Sequence, residues 1–231
     1  MLNDLKKDIQ KLANPKKAKL LQGFFKTAKG QYGEGDIFLG LTVPIQRQIV
    51  KKYINLSLPD TTKLLHSKIH EYRLISLLIL VKKYEKGNDT EKKKIYNLYL
   101  KNTKWINNWD LVDLSAPRIV GDYLLDKDRK ILYTLIKSKN LWDRRIAVLA
   151  TATFIWHNDF SDIIRISKLL LKDSHDLIHK ATGWMLREVG KRDQKLLEKF
   201  LEANTTKMPR TMLRYSIEKF PESKRKYYLN K

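Results

Sequence analysis

Two side chains with complementary chemistry, Trp109 and Asp113, lie four residues apart in segment 107–113. Residues at this spacing share one face of a helix. The face of an indole ring attracts cations through its quadrupole, and a carboxylate supplies a full negative charge beside it. The pair is therefore a candidate site for a positively charged group.

The charge of the chain indicates where such a site would work. The sequence has 47 Lys+Arg against 25 Asp+Glu, a formal net charge of +22. An excess of this size favours a polyanionic partner, nucleic acid above all. A membrane surface is the weaker alternative, because the lysines are spread over many segments instead of lining one amphipathic helix. A cation site on a nucleic-acid-binding surface suggests a damaged base that carries a positive charge.

Composition also excludes several classes of chemistry. The chain has no cysteine, which rules out disulfides, zinc–thiolate sites and cysteine nucleophiles. We expect no metal and no organic cofactor. The charged N-terminus lacks the apolar core of a secretory signal, and the longest apolar run, residues 75–81, is too short to span a bilayer. We therefore expect a cytoplasmic, nucleoid-associated protein.

Helical periodicity dominates the sequence. With 9 glycines and 6 prolines in 231 residues, few breakers interrupt it, and no segment alternates as a strand does. Asn108, Asp173 and Ser174 are candidate N-caps. We predict helices over residues 2–14, 15–28, 44–55, 59–67, 70–86, 90–101, 108–125, 128–139, 142–156, 161–171, 174–189, 193–203 and 209–220.

A repeat of 33 residues runs through the second half of the chain. Its marks are Trp-Asp at 109–110 and 142–143, His-Asp at 175–176 and Met-Pro at 208–209, each predicted to open a longer helix. This period is typical of stacked helix pairs. We predict an all-α fold, a right-handed α-solenoid of HEAT-like helix pairs with a concave basic face, as one domain over residues 1–231. The simpler alternative is that the Trp-Asp pairs only mark helix starts, with Asp near the positive end of the dipole.

Four motifs in order give the chain a resemblance to a known family. They are GQYGEGDIFLGLTVP (30–44), WDLVDLSAPRIVGDYLL (109–125), WDRRIAVLAT (142–151) and KATGWMLREVGK (180–191). With these motifs the chain resembles the AlkD-type DNA alkylation repair glycosylases, a family of HEAT-like repeats. The resemblance implies removal of N3- and N7-alkylated purines from duplex DNA, without flipping the base into a pocket.

The resemblance also implies roles for individual residues. Trp109 and Trp184 match the aromatic residues that flank the deoxyribose of the damaged nucleotide. Asp113 matches the carboxylate that supports bond cleavage and positions water, and Arg145 matches the arginine that holds the backbone beside the lesion. Phe24 occupies a DNA-contacting position where the family can carry a tyrosine, so a hydroxyl contact is missing there.

For several of these residues a structural role competes with the functional one. On its spacing alone, Asp113 would be an ordinary surface carboxylate paired with a neighbouring arginine or lysine. Trp142 is interpreted as packing between helix pairs. Gly183, beside Trp184, permits either close approach of a ligand or tight helix packing. Arg144 and Arg145 point about 100° apart on a helix, so only one of them faces the concave surface squarely.

The expected partner is duplex DNA that contains alkylated purines. We expect the protein to be a monomer with no obligate protein partner and no membrane association. Basic residues that include Arg187 and Lys191 are expected to contact phosphates. Two alternatives stay open. A non-catalytic protein of the same fold would bind bent or branched DNA, and a protein–protein adaptor would bind peptides in its groove.

Overall fold

The computed structural model describes residues 1–231, and they form an all-helical protein, which confirms the predicted class. One isolated bridge between Ile37 and Ile69 is the only β pairing. The helices are α1 Leu2–Lys11, α2 Pro15–Phe24, α3 Val43–Lys52, α4 Leu58–Leu65, α5 His70–Lys86, α6 Asp89–Lys101, α7 Trp109–Asp113, α8 Lys130–Leu135, α9 Leu141–Trp156, α10 Ser161–Leu169, α11 Asp176–Gly190, α12 Gln194–Asn204, α13 Arg210–Ser216 and α14 Glu222–Leu229.

The helices form two compact units, Met1–Ser115 and Ala116–Lys231. In the first, α5 is the central element, and α3, α4, α6 and α7 pack against it. Thirteen residues of α5 are buried, because its apolar side chains cover the whole helix instead of one stripe. The prediction of one domain over residues 1–231 stays a prediction.

In the second unit, successive helices of the 33-residue repeat lie side by side. α9 packs against α11 and α11 against α13, while α8 and α10 contact α9, and α12 contacts α11. A Cβ atom added to Gly183 would lie 2.5 Å from the Met212 carbonyl oxygen, so this glycine serves the packing of α11 on α13. Trp142 is buried, as its predicted packing role requires. The hand of the predicted solenoid and its concave basic face stay predictions.

The predicted helix over residues 108–125 is wrong as one element. α7 ends at Asp113, and a separate π-helical segment covers Pro117–Gly121. Proline lacks the amide hydrogen and its ring clashes with the preceding turn, so the α-helical ladder cannot pass it. Ser115 adds to the break, since its Oγ donates to the Leu111 carbonyl instead of leaving that group to the helix. The repeat therefore opens a short helix at Trp109, not a longer one.

Other boundaries differ for local reasons. α14 was not predicted, because this short polar helix buries only Tyr228. α11 is capped by His175, whose Nδ1 accepts from the Leu177 amide, so the predicted caps Asp173 and Ser174 are wrong. Asn108 is a cap as predicted. No helix has the length and the apolar composition needed to cross a membrane.

Candidate active site

Trp109 is the first residue of α7, and side-chain hydrogen bonds hold the start of this helix. Asn108 is fully buried, and its Oδ1 accepts from the Trp109 amide at 2.9 Å. The carboxylate of the next residue, Asp110, accepts from the Leu111 amide at 2.9 Å. Asn and Asp satisfy amide groups that the first helical turn leaves without partners. The backbone that carries the Trp109 side chain is therefore fixed on both sides.

The indole of Trp109 is part of an aromatic cluster with Phe24, Phe25 and Phe38. Trp109 and Phe25 are stacked, with 5.0 Å between ring centroids and 8° between planes, and Phe25 stacks in turn on Phe38. Phe24 meets Trp109 edge-on at 5.9 Å and 76°. Phe25 is 6% exposed and Phe24 is 62% exposed. Phe25 is thus a buried support for the indole, and Phe24 is the part of the cluster that faces outward.

Asp113 completes the pair that the sequence singled out. It is the last residue of α7 and lies one helical turn after Trp109, on the same side of the helix. Its side chain is half-buried and interacts with neighbouring groups. The structure thus brings Phe24, Trp109 and Asp113 into one part of the first unit.

Beneath this cluster lies a network of charged groups that sequence reasoning missed. His70 Nδ1 is 3.1 Å from Asp36 Oδ2, and its Nε2 is 2.9 Å from Asp110 Oδ2. Arg73 Nη2 pairs with the same Asp36 oxygen at 2.7 Å. All four residues are no more than 6% exposed. The network links α5, which carries His70 and Arg73, to the loop that holds Asp36 and to the first turn of α7.

The partners of His70 and of Asp36 favour the charged forms of these two groups. Burial lowers the pKa of His70, but the Asp110 charge and the hydrogen bonds from Asp110 and Asp36 outweigh it and raise the pKa to about 9. Burial raises the pKa of Asp36, but the His70 hydrogen bond and the Arg73 charge outweigh it and lower the pKa. His70 is therefore an imidazolium at neutral pH and donates from both ring nitrogens.

The histidine also joins the network to the aromatic cluster. Its ring stacks on Phe38 at 4.5 Å and lies 5.0 Å from Phe25, the residue that supports Trp109. An imidazolium against aromatic rings makes a favourable cation–π contact. The position of Trp109 therefore depends on charges buried one layer below it.

Glu71 holds the loop that supplies Asp36 and Phe38. Its Oε1 accepts from the amides of Leu39, Gly40 and Leu41 at 3.0, 2.8 and 3.2 Å. Gly40 has a φ of +89°, a conformation that favours glycine. A sequence signal for these groups exists: His70, Glu71 and Arg73 stand in the first turn of a helix whose middle, residues 74–81, is apolar at every position but one. Charged residues in such a helix must find buried partners.

The second unit holds the other predicted site residues. Arg145 is 5% exposed, and its Nη1 donates to the Leu177 carbonyl at 2.6 Å, so it links α9 to the first turns of α11. Arg144 pairs with Asp173 at 2.7 Å. Of these two arginines, the buried one is the residue that the sequence assigned to the DNA backbone.

Trp184, Arg187 and Lys191 share α11, and Glu188 joins them. Trp184 is half-buried, and its Nε1 donates to Glu188 Oε1 at 3.2 Å. The same oxygen pairs with Lys191 Nζ at 2.7 Å, and Arg187 forms an ion pair with Glu218. Both cations that were expected to meet phosphates are therefore paired with carboxylates. Glu188 was missed from sequence, although its spacing of four from Trp184 and three from Lys191 is a helical one.

Residues 5–220 match the family model described as DNA alkylation repair enzyme. A solved structure from Enterococcus faecalis, described as a predicted DNA alkylation repair enzyme, has a TM-score of 0.68 and 15% sequence identity, and the match covers 91% of this chain and 97% of that chain. At this identity the likeness concerns the fold. No curated protein matches the sequence.

Proposed function

Since the chain belongs to the DNA alkylation repair enzyme family, we propose that it is a DNA glycosylase for N3- and N7-alkylated purines. The proposed reaction is hydrolysis of the N-glycosidic bond in duplex DNA, as the first step of base excision repair, with the base left unflipped. We further propose a cytoplasmic, nucleoid-associated monomer that needs no cofactor. The observation that carries the proposal is the supported indole of Trp109 with the Asp113 carboxylate one helical turn away.

The chemistry of the substrate matches this pair. Alkylation at N3 or N7 gives the purine a positive charge, so the base departs as a neutral group and needs no general acid. As the C1′–N bond stretches, positive charge develops on the deoxyribose. A carboxylate stabilises such an oxocarbenium-like sugar and orients the attacking water, as at glycosidase centres. We assign these two tasks to Asp113.

Tryptophan contributes through its ring face. The C–H groups of the sugar become more positive in the transition state, and the indole quadrupole attracts them, as in cation–π contacts worth about 0.5–2 kcal/mol each. Trp109 and, in the second unit, Trp184 are assigned this role. Two such contacts supply a small part of the reduction in barrier that glycosylases need, so Asp113 carries most of the rest.

Binding of duplex DNA is assigned to the cationic surface, with Arg145, Phe24, Arg187 and Lys191 as contacts. The support is the net charge of +22. If six or more cations contact phosphates, affinity falls by about 10³ or more between 50 and 200 mM salt. Because Arg187 and Lys191 are already paired with carboxylates, phosphates must compete with these acids.

The test is release of free base from methylated duplex DNA under single-turnover conditions. Wild type should release base, and Asp113→Asn should lose about 10²-fold or more in rate while it keeps its fold and its DNA affinity. Glu85→Gln is the matched control, because it removes an exposed carboxylate of the same unit that pairs with a surface lysine, Lys82. An unchanged rate in Asp113→Asn would remove this residue from the mechanism. Tight duplex binding with no release by wild type would instead indicate a non-catalytic reader of DNA shape.

A further inference from the structure

α2 differs from every other α-helix in the protein, because it has no buried residue. It is nevertheless fixed at both ends. At its start the Asn14 side chain accepts from the Lys17 amide at 3.0 Å, and the Asn14 amide donates to the Leu39 carbonyl at 2.7 Å. At its end it leads into Phe25, the buried support of Trp109. A helix that is held in place but buries nothing presents its surface to the outside.

That surface carries two large apolar side chains. Leu20 is 73% exposed and Phe24 is 62% exposed, the highest values among the large hydrophobic residues of the chain. Four residues apart, they share one face of α2, and Lys16 extends the same line by one more turn. Exposed apolar groups that line up beside polar ones are typical of interaction surfaces.

The charge of this region selects the partner. Lys16, Lys17 and Lys19 are all exposed on α2, and Lys26 and Lys29 follow it. Residues 15–33 contain no acidic residue. A surface of five cations with two apolar groups is complementary to a polyanion whose phosphates alternate with the apolar faces of sugars. It is less suited to another copy of this basic chain, because like charges would then meet.

The surface is also continuous with the candidate active site, since the rings of Phe24 and Trp109 are in T-shaped contact. We infer that α2 lies along the backbone of duplex DNA, with Lys16, Lys17 and Lys19 on phosphates and Leu20 and Phe24 packed against deoxyriboses. This inference rests on the proposed function in one respect, that duplex DNA is the ligand. It adds a dedicated docking helix that orients the strand toward Trp109.

Salt dependence separates the two kinds of contact. Binding of an undamaged, fluorescent duplex is measured by anisotropy between 50 and 200 mM salt. Substitution of Lys16, Lys17 and Lys19 by Ala should reduce the slope of log K against log salt by about 0.9 for each lost phosphate contact. Leu20→Ser should weaken binding about tenfold at every salt concentration and leave the slope unchanged, because it removes apolar burial and no charge.

Matched controls exist for both variants. Leu169→Ser changes an exposed leucine of α10, 60% exposed, and should bind like wild type. Alanine substitution of Lys93, Lys94 and Lys101, exposed lysines of α6, gives the same loss of charge at another surface. An equal reduction of slope in that control, or wild-type affinity in Leu20→Ser, would overturn the inference. So would a change of particle mass in Leu20→Ser by light scattering, because it would assign the face to a second copy.

The outcome does not depend on catalysis. If wild type releases no base but Leu20→Ser binds duplex more weakly with an unchanged slope, the docking helix stands and the proposed reaction fails. If wild type releases base and Leu20→Ser binds and reacts normally, the docking helix fails and the proposed reaction stands. Leu20 is exposed, so its substitution should leave the thermal unfolding midpoint unchanged.

Discussion

The indole of Trp109 lies on the ring of Phe25, with 5.0 Å between the centroids and 8° between the ring planes. Phe25 is buried, so it contacts Trp109 from inside the protein and does not meet a ligand outside. One face of the indole is therefore used for support, and the proposed function assigns the sugar to the opposite face. Phe25 thus has a positioning role on one face of the indole, and the other face has the proposed binding role.

Phe25→Leu should lower the rate of base release more than it lowers DNA affinity. Stacked aromatic pairs contribute about 0.5–1.5 kcal/mol beyond their buried area, which corresponds to a rate reduction of roughly two- to tenfold. The measurement is the single-turnover rate at saturating enzyme, together with the dissociation constant for an undamaged duplex. A change confined to the dissociation constant would contradict the positioning role.

The neighbouring residue provides the control for this prediction. Phe24→Leu removes the exposed ring that makes a T-shaped contact with Trp109. It should weaken duplex binding and leave the maximal rate nearly unchanged, because the support beneath the indole remains. Opposite effects of two adjacent phenylalanines would be difficult to explain by general destabilisation.

The buried network should make stability depend on alkaline pH. The pKa of His70 is raised from 6.5 to about 9. His70 therefore contributes stability that is fully present below pH 6.5 and is lost as pH rises through 9. The shift corresponds to about 3 kcal/mol. Asp36, Asp110 and Arg73 are the charged groups around the imidazole. Urea unfolding at pH 6 and pH 9.5 should show a loss of this order.

His70→Gln isolates the contribution of the imidazolium from that of other groups. It leaves Asp36 and Asp110 with one buried cation, so it should lower stability by about 3–5 kcal/mol at pH 6. The remaining loss between pH 6 and pH 9.5 should be smaller than in wild type. His66→Gln, a change at an exposed histidine of the first unit, should retain the wild-type pH dependence. Equal alkaline losses in wild type and His70→Gln would refute the assignment.

Local periodicity explains how far the sequence alone predicted this fold. The helix over residues 70–86 was predicted with both of its ends, because an apolar run fills its middle, residues 74–81, and Gly87 follows its last residue. The break after Asp113 was missed, since periodicity continues through Pro117 although the proline prevents an α-helix. α14 was not predicted, because a helix with a single buried tyrosine has no apolar periodicity.

In the candidate site too, residues close together in the sequence were predicted and residues far apart were missed. Trp109 and Asp113 were found because both lie on one short helix, where spacing alone defines a shared face. The groups beneath them were missed because Asp36 and Asp110 lie 34 and 40 residues from His70 along the chain. No local pattern records which distant carboxylate neutralises a buried histidine.

Gly183 provides a test of the packing between α11 and α13. A Cβ atom there would lie 2.5 Å from the Met212 carbonyl and 2.6 Å from Tyr215 Cβ, so Gly183→Ala must push the helices apart. We expect a loss of about 1–3 kcal/mol in unfolding free energy. Gly23→Ala is the control, because nothing lies within 4 Å of a Cβ there, and a gain of up to about 1 kcal/mol is expected in the helix. Denaturant midpoints measure both, and equal effects would disprove the packing role.

Removal of the Glu188 charge should strengthen duplex binding. The carboxylate holds Lys191 Nζ at 2.7 Å and also lies 3.8 Å from Arg187 Nε, so phosphates must displace it to reach these cations. Glu188→Gln keeps an acceptor for Trp184 Nε1 and thus preserves the contact of the indole. If Lys191 then meets a phosphate, the slope of log K against log salt steepens by about 0.9.

A second carboxylate separates this local effect from a general change in charge. Glu198→Gln on α12 adds the same unit of net charge and releases Lys224, which Glu198 holds at 2.6 Å. Anisotropy titrations of both variants across salt concentrations should show the steeper slope in Glu188→Gln alone. Equal slopes would mean that the affinity reports net charge and that Lys191 does not contact the duplex.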